Sequence, residues 1–120
     1  MRRIRGEEAE REAARYLEAQ GLQVLARNVR CKGGEIDLLC RDGEVLAVIE
    51  VRQRSSLDFG GALASVTREK RRRLIRAAAY LLRTSPLCRG RPLRFDVVGI
   101  QGAPGGRREI SWIKDAFRTT

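Results

Sequence analysis

The chain has 120 residues, of which 42% are apolar, which suffices for one hydrophobic core and not for two. No run approaches the ~18–20 apolar residues of a membrane helix, and no apolar run follows the basic N-terminus, so we expect a cytoplasmic protein without membrane association or secretory signal. The formal charge of +10 favours a polyanionic partner, with nucleic acid as the first candidate.

The sequence contains no histidine and only three cysteines, Cys31, Cys40 and Cys88, with no CxxC pair among them. This pattern argues against a disulfide framework or a zinc site. It also removes the commonest general base. Any hydrolytic chemistry would therefore depend on carboxylates, on Lys or Arg, and on a hard metal ion.

The N-terminal segment predicts a helix followed by a strand. Residues Gly6–Gln20 carry acidic side chains in the expected first turn and apolar residues at four-residue spacing, and Gly21 is a suitable C-terminal cap. The first strand is predicted at Leu22–Arg30.

A β-hairpin is predicted next, because the segments Glu35–Cys40 and Val45–Gln53 flank an Asp42-Gly43 pair. With Asp42 and Gly43 as the two turn residues, opposed positions have numbers that sum to 85. The expected pairs are Leu39 with Leu46, Asp37 with Val48, and Glu35 with Glu50.

Alternation along the hairpin separates an apolar face from a mixed face. The apolar face comprises Ile36, Leu38, Cys40, Val45, Ala47, Ile49 and Val51. The other face carries Leu39, Leu46 and Val48 near the turn, and Glu35, Asp37, Glu50 and Arg52 at the open end. Opposed acids repel one another, and a divalent ion such as Mg²⁺ or Mn²⁺ would offset that repulsion. The alternative is that these acids point to solvent and pair with arginines.

The second half of the chain predicts one long helix and two further strands. The expected segments are a loop at Ser55–Gly61, a helix at Leu63–Leu82, a connection at Thr84–Pro92, a strand at Leu93–Ile100, a turn at Gly102–Gly106 and a short strand at Glu109–Ile113. We therefore expect a single α/β domain spanning residues 1–120.

Basic residues concentrate in the first half of the predicted long helix. The expected nucleic-acid contacts are Arg54, Arg68, Lys70, Arg72, Arg73 and Arg76. A solvated basic face is the alternative for any one of them. Only Phe59, beside Gly60 and Gly61, is placed to stack on a base, so recognition of the phosphate backbone and of shape is favoured over sequence readout.

Several ordered motifs carry a family resemblance. The order Asp37, turn, Glu50-Val51-Arg52 resembles the PD-(D/E)XK restriction-endonuclease-like fold. The wider set resembles the YraN-like family, a bacterial family of small uncharacterised proteins grouped with predicted endonucleases related to Holliday-junction resolvases. Its motifs here are Gly6-Glu7-x-Ala9-Glu10, Asn28-x-Arg30, Gly34-Glu35-Ile36-Asp37-Leu38, Glu50-Val51-Arg52-x-Arg54, Phe59-Gly60, Arg94-Phe95-Asp96-Val97-Val98 and Ala116-Phe117.

The resemblance implies a core of helix, three strands, helix and strand, here with an extra C-terminal strand and a mixed central sheet flanked by helices. It implies Asp37 and Glu50 as metal ligands, Glu7 as a further acidic contributor, and Glu35 beside them. The third signature position, usually Lys, is Arg52. Arginine stays charged, so it can stabilise phosphate charge but cannot act as a base.

The expected function is that of a metal-dependent endonuclease acting on branched or structured DNA, with Arg52 steadying the scissile phosphate. One alternative is a non-catalytic nucleic-acid-binding protein of the same fold, and another is a basic RNA-associated protein. Cleavage of two strands would suit a homodimer.

Overall fold

A computed structural model describes residues 2–54, 61–102 and 108–119, with the backbone alone for residues 2–5. The expected stacking residue Phe59, most of the Ser55–Gly61 loop and most of the Gly102–Gly106 turn lie outside these ranges. Within them, no helix combines the length and the hydropathy needed to cross a membrane.

The architecture is an α/β fold with a five-stranded mixed sheet flanked by helices, as expected. The elements in chain order are α1 (Arg2–Ala19), β1 (Gln23–Cys31), β2 (Gly34–Asp42), β3 (Val45–Arg54), α2 (Gly61–Ala64), α3 (Arg68–Thr84), β4 (Leu93–Gln101) and β5 (Glu109–Phe117). The strands lie in sequence order, and all neighbours are antiparallel except β3 and β4, which are parallel because the segment containing α3 connects them.

Both predicted helices needed correction at their boundaries. The helix α1 begins at Arg2, so the acidic residues near Glu7 lie beyond its first turn. The predicted long helix is divided into α2 and α3, because Thr67 has an extended backbone and its side chain accepts a hydrogen bond from the Lys70 N–H at 3.1 Å. This N-cap fixes where α3 starts.

The last strand is longer than predicted and ends at Phe117. A bulge interrupts its pairing with β4, and Asp115 there has a φ of 52°. Pairing then resumes between Phe95 and Phe117, whose rings stack with centroids 5.0 Å apart. Because of this aromatic contact, a strand that ends at Phe117 buries more apolar area than a strand that ends at Ile113 would.

Each face of the sheet is covered by a helix. The α3 face contains Leu39, Leu46, Val48, Leu74, Ala77, Ala78, Phe95 and Val97, all buried. The α1 face contains Ala9, Ala13, Leu17, Leu38, Cys40, Ala47, Ile49 and Val98, likewise buried. Burial on both sides explains the nearly continuous apolar runs of the central strands.

The predicted hairpin register was wrong by two positions. The observed pairs are Asp42 with Val45 and Leu38 with Ile49, whose numbers sum to 87, because the turn residues are Gly43 and Glu44. Gly43 has a φ of 62°, which suits a tight hairpin turn. A shift of two preserves which face each side chain occupies, but it changes which residues are opposed.

Ile36 also departs from the expected alternation. It lies in the α3-side cluster, whereas Leu38 lies on the α1 side. The regular β2–β3 pairing ends at Leu38, and Asn28 on the neighbouring strand β1 has a φ of 54°. These irregularities flank Asp37, so the sheet is distorted where the candidate site begins.

Two close approaches set the positions of α2 and α3. A Cβ on Gly99 of β4 would lie 2.5 Å from the Ala62 Cβ, so α2 rests directly on the sheet. A Cβ on Gly34 would lie 3.1 Å from the Arg73 carbonyl oxygen, so the β1–β2 turn packs against α3. Both contacts bring α2 and α3 against the end of the sheet that carries Asp37 and Glu50.

Candidate functional site

The candidate site centres on a pair of carboxylates, Asp37 on β2 and Glu50 on β3. Regular β2–β3 pairing ends at Leu38 with Ile49, one position before this pair, and the side chains of Asp37 and Glu50 contact each other there. Asp37 Oδ2 accepts a hydrogen bond from the Val51 backbone N–H at 2.9 Å. Asp37 is half-buried, and Glu50 is only 2% exposed.

The surroundings of the pair disfavour the ionisation of both carboxyls at once. Burial, followed by the nearby Asp37 charge, raises the pKa of Glu50 to about 7. Burial also raises the pKa of Asp37, opposed by the Val51 N–H and by a hydrogen bond with the Glu50 carboxyl. The protonation of each carboxyl therefore depends on that of the other.

Two cations lie against Glu50. Arg52 Nη1 is 3.3 Å and Lys70 Nζ is 3.7 Å from Glu50 Oε2. Arg52 also donates from Nε to Ser65 Oγ at 2.9 Å, and Ser65 Oγ donates to the Ala62 carbonyl at 2.6 Å. The guanidinium is therefore tied to the α2–α3 connection, whereas Lys70 reaches the pair from the first turn of α3.

The donor set suits a hard divalent cation. Glu50 Oε1 is buried and accepts no hydrogen bond from the described residues, so in the ionised carboxyl this oxygen can bind a metal ion. The described residues contain no group of three or more acidic, cysteine or histidine side chains placed to share a metal. Mg²⁺ commonly uses only one or two carboxylates, with water and substrate phosphate as its other ligands. The Asp37–Glu50 pair satisfies that requirement.

The other expected acids occupy more peripheral positions. Glu35 pairs with Arg30 across β1 and β2, and its charge contributes the smallest of the influences that raise the pKa of Asp37. Glu7 lines a cleft of about 260 Å³ together with Glu10, Arg11, Arg27 and Asn28. Leu38 and Ile36 pair with the two β1 residues on either side of Asn28, and Asn28 therefore lies beside Asp37.

Sequence reasoning missed Glu10. This residue is 6% exposed on the buried face of α1, in line with Ala13, Ala14 and Leu17. The sequence does contain a signal for this residue, since an acid lies at helical spacing from three apolar residues. A carboxylate on the buried face of a helix requires a specific environment and so indicates a special role. Among the acids of the cleft, Glu10 is more deeply buried than Glu7.

The expected nucleic-acid contacts divide into two groups. Five are exposed: Arg54 at the end of β3, and Arg68, Arg72, Arg73 and Arg76 along α3. Of these, Arg73 forms an ion pair with Glu69 at 3.6 Å. The sixth, Lys70, is held against Glu50 instead.

A third buried acid, Asp96, belongs to a structural network. It is fully buried and accepts hydrogen bonds from Arg94 Nε at 2.9 Å, Trp112 Nε1 at 3.0 Å and the Asp115 backbone N–H at 2.9 Å. Arg94 also contacts Asp42 at 2.9 Å. Asp96 thus pairs with an arginine, and its acceptor capacity is used within the protein.

Comparison with known proteins connects the chain to one family. The model of the uncharacterised protein family UPF0102 matches residues 9–100. A UPF0102 protein of Dechloromonas aromatica is 54% identical over 94% of this chain and 88% of its own length. A relative from Halorhodospira halophila is 52% identical over 97% and 88%, and one from Pseudomonas putida strain GB-1 is 47% identical over 93% and 91%.

Proposed function

We propose that this chain, which belongs to the uncharacterised UPF0102 family expected from its YraN-like motifs, is a metal-dependent endonuclease that acts on branched or structured DNA. We also propose that its core is restriction-endonuclease-like. The order of α1, three strands, α3 and β4, with β3 and β4 parallel, supports that assignment.

The observation that carries the proposal is the contact between the half-buried Asp37 and the buried Glu50, whose Oε1 accepts no hydrogen bond from the described residues. Burying two carboxylates in contact is costly unless they bind a cation or a proton. Their oxygens would hold Mg²⁺ or Mn²⁺, which would supply Lewis-acid stabilisation of phosphate charge. Asp37 is aligned for this role by the Val51 N–H, and Glu50 by Arg52.

The surrounding charge supports a nucleic-acid substrate. Exposed arginines follow α3 from the residue that starts it, Arg68, to Arg76, and Arg54 extends the basic surface from β3. Together with the net charge of +10, this surface suits a phosphate backbone. A branched substrate with two strands to cut would suit a homodimer.

A calorimetric titration with Mn²⁺ tests the metal site. The wild type is expected to bind Mn²⁺, and Asp37→Ala is expected to lose that binding. Glu44→Ala, which removes an acid that is 84% exposed at the hairpin turn, serves as the control and should behave as the wild type. Equal Mn²⁺ binding by Asp37→Ala would refute the assigned site.

Cleavage assays test the activity itself. With Mg²⁺ or Mn²⁺, purified protein should nick branched or duplex DNA, and Asp37→Ala should abolish the cleavage. Cleavage that survives this substitution would indicate a contaminating nuclease and overturn the assignment.

A non-catalytic nucleic-acid-binding protein is the second candidate, favoured by Arg52 at the usual lysine position and by its attachment to Ser65. It predicts salt-sensitive binding without cleavage, with little effect of Asp37→Ala on affinity. Tighter binding to RNA than to branched DNA would instead support an RNA-associated role.

A further inference from the structure

Lysine is scarce in this chain, and one of the few lysines lies at the carboxylate pair. Of the 25 basic residues, only Lys32, Lys70 and Lys114 are lysines. Lys70 Nζ lies 3.7 Å from Glu50 Oε2, and its side chain remains 32% exposed. The ammonium group therefore faces both the pair and the solvent from which a substrate would approach.

Arg52 has a similar side-chain exposure, 34%, but its guanidinium is already engaged by neighbouring residues. Its Nε is committed to Ser65 and its Nη1 to Glu50, and Ser65 is itself bonded to the backbone of Ala62. These bonds connect β3 to the α2–α3 connection. Arg52 thus holds Glu50 and this connection in place, which is the work of a positioning residue.

Lys70 is fixed at its backbone, whereas its side chain can move. Its backbone N–H is the one that Thr67 caps, so the residue occupies the first turn of α3 in a defined orientation. The long flexible stem of lysine then lets the ammonium move between Glu50 and a bound anion without moving the helix. The positive end of the helix dipole lies on the same side and favours an anion there.

We propose that Lys70, rather than Arg52, is the cationic catalytic residue that contacts the scissile phosphate. Lys70 would then take the place of the lysine that the signature motif usually has where this chain has Arg52. This inference rests on the proposed nuclease function. In the reaction, water adds to phosphorus and the bond to one ester oxygen breaks. Water releases one proton to solvent and the departing oxygen takes one up. The Lys70 ammonium donates a hydrogen bond to a non-bridging phosphate oxygen throughout and keeps its own protons.

Three variants of the full chain test this role: Lys70→Met, the control Lys114→Met, and the double variant Arg52→Lys/Lys70→Met. Lys114 lies over the Trp112 ring and near Asp42, at the opposite end of the hairpin from Glu50. The measurements are Mn²⁺ affinity by calorimetry, thermal melting, and the rate of Mn²⁺-dependent cleavage of a four-way DNA junction.

Lys70→Met is expected to cleave about 100-fold or more slowly, because a preorganised donor to the phosphate is lost. It should bind Mn²⁺ at least as tightly as the wild type, because a competing cation has been removed from Glu50. Lys114→Met should match the wild type. The double variant should regain about 10-fold or more of the lost rate, since a lysine again reaches the pair.

The outcomes separate this inference from the function on which it rests. If Lys70→Met cleaves as Lys114→Met does, the role of Lys70 is refuted and the proposed function stands. If Lys70→Met loses Mn²⁺ binding as well as cleavage, and the double variant recovers neither, Lys70 is only a structural partner of Glu50. A wild type that neither binds Mn²⁺ nor cleaves would overturn the proposed function. Should Lys70→Met not fold, Lys70→Gln is judged by the same measurements.

Discussion

Glu50→Gln is expected to remove a pH dependence that the carboxylate pair imposes on the stability of the metal-free protein. Glu50 is 2% exposed and contacts Asp37, so its ionised form is disfavoured in the folded state. Glutamine has nearly the same shape and stays neutral at every pH. The variant therefore imitates the protonated site and isolates the effect of the charge.

The direction follows from the raised pKa. The folded protein holds the Glu50 proton more tightly than the unfolded chain does, because the pKa rises from an ordinary 4.5 to about 7. The resulting stabilisation is complete below about pH 4.5 and is lost as the pH rises through about 7. For Glu50 the loss is on the order of 3 kcal/mol.

Urea denaturation in EDTA, followed by fluorescence of the single tryptophan, Trp112, measures the effect at several pH values between 4.5 and 8. The free energies of unfolding of wild type and Glu50→Gln should be similar at pH 4.5 and diverge above it, with the variant more stable at pH 8. In buffer without EDTA, Mn²⁺ at about 100 times its Kd should add about 2.7 kcal/mol to the wild type at pH 8 and much less to the variant. Parallel pH profiles of the two proteins would refute the reasoning.

Other predictions test the basic surface, the buried acid Asp96 and the buried thiol of Cys40. Arg72→Ala should reduce by about 1 the slope of log DNA affinity against log salt concentration, as measured by fluorescence anisotropy. An equal reduction in Arg118→Ala would show that the effect comes only from the net charge. Asp96→Asn should reduce the free energy of unfolding by about 3 kcal/mol in urea, because Arg94 loses its buried counterion, and a loss no larger than that of Asp42→Asn would contradict this account. Thiol labelling of the native protein at pH 8 should leave Cys40 unmodified, since burial raises its pKa to about 12, and rapid labelling there would show that the α1 face opens readily.

The hairpin shows which features of the site strand periodicity can predict. Alternation in the sequence placed Asp37, Glu50 and Arg52 on one face of the sheet, and an error of two in the register left that placement intact. The same error changed the partner of Glu50 from Glu35 to Asp37. The choice between Asp42-Gly43 and Gly43-Glu44 as the turn was not decidable from residue type, because both pairs offer the glycine that a tight turn uses.

The family and the element order were predictable for a different reason. They rest on many short motifs and apolar patterns spread along the chain, so no single misplaced boundary changes the result. Boundaries failed where local bonds decide them, as at Thr67, whose side chain caps α3 and divides the predicted helix. Ile36 changed sides for a similar local reason, next to the irregular backbone at Asn28.

The sequence alone, through the two-residue period of β-strands, placed Asp37 and Glu50 on one face at one end of the sheet. The tertiary structure decided that these two acids contact each other and which groups surround them. Lys70 lies 20 positions from Glu50 along the chain, and its contact depends on how closely α3 packs against the sheet. That distance is set by Gly34 against Arg73 and by the apolar face of α3, because side chains must interlock before a charge on one element can reach a charge on another.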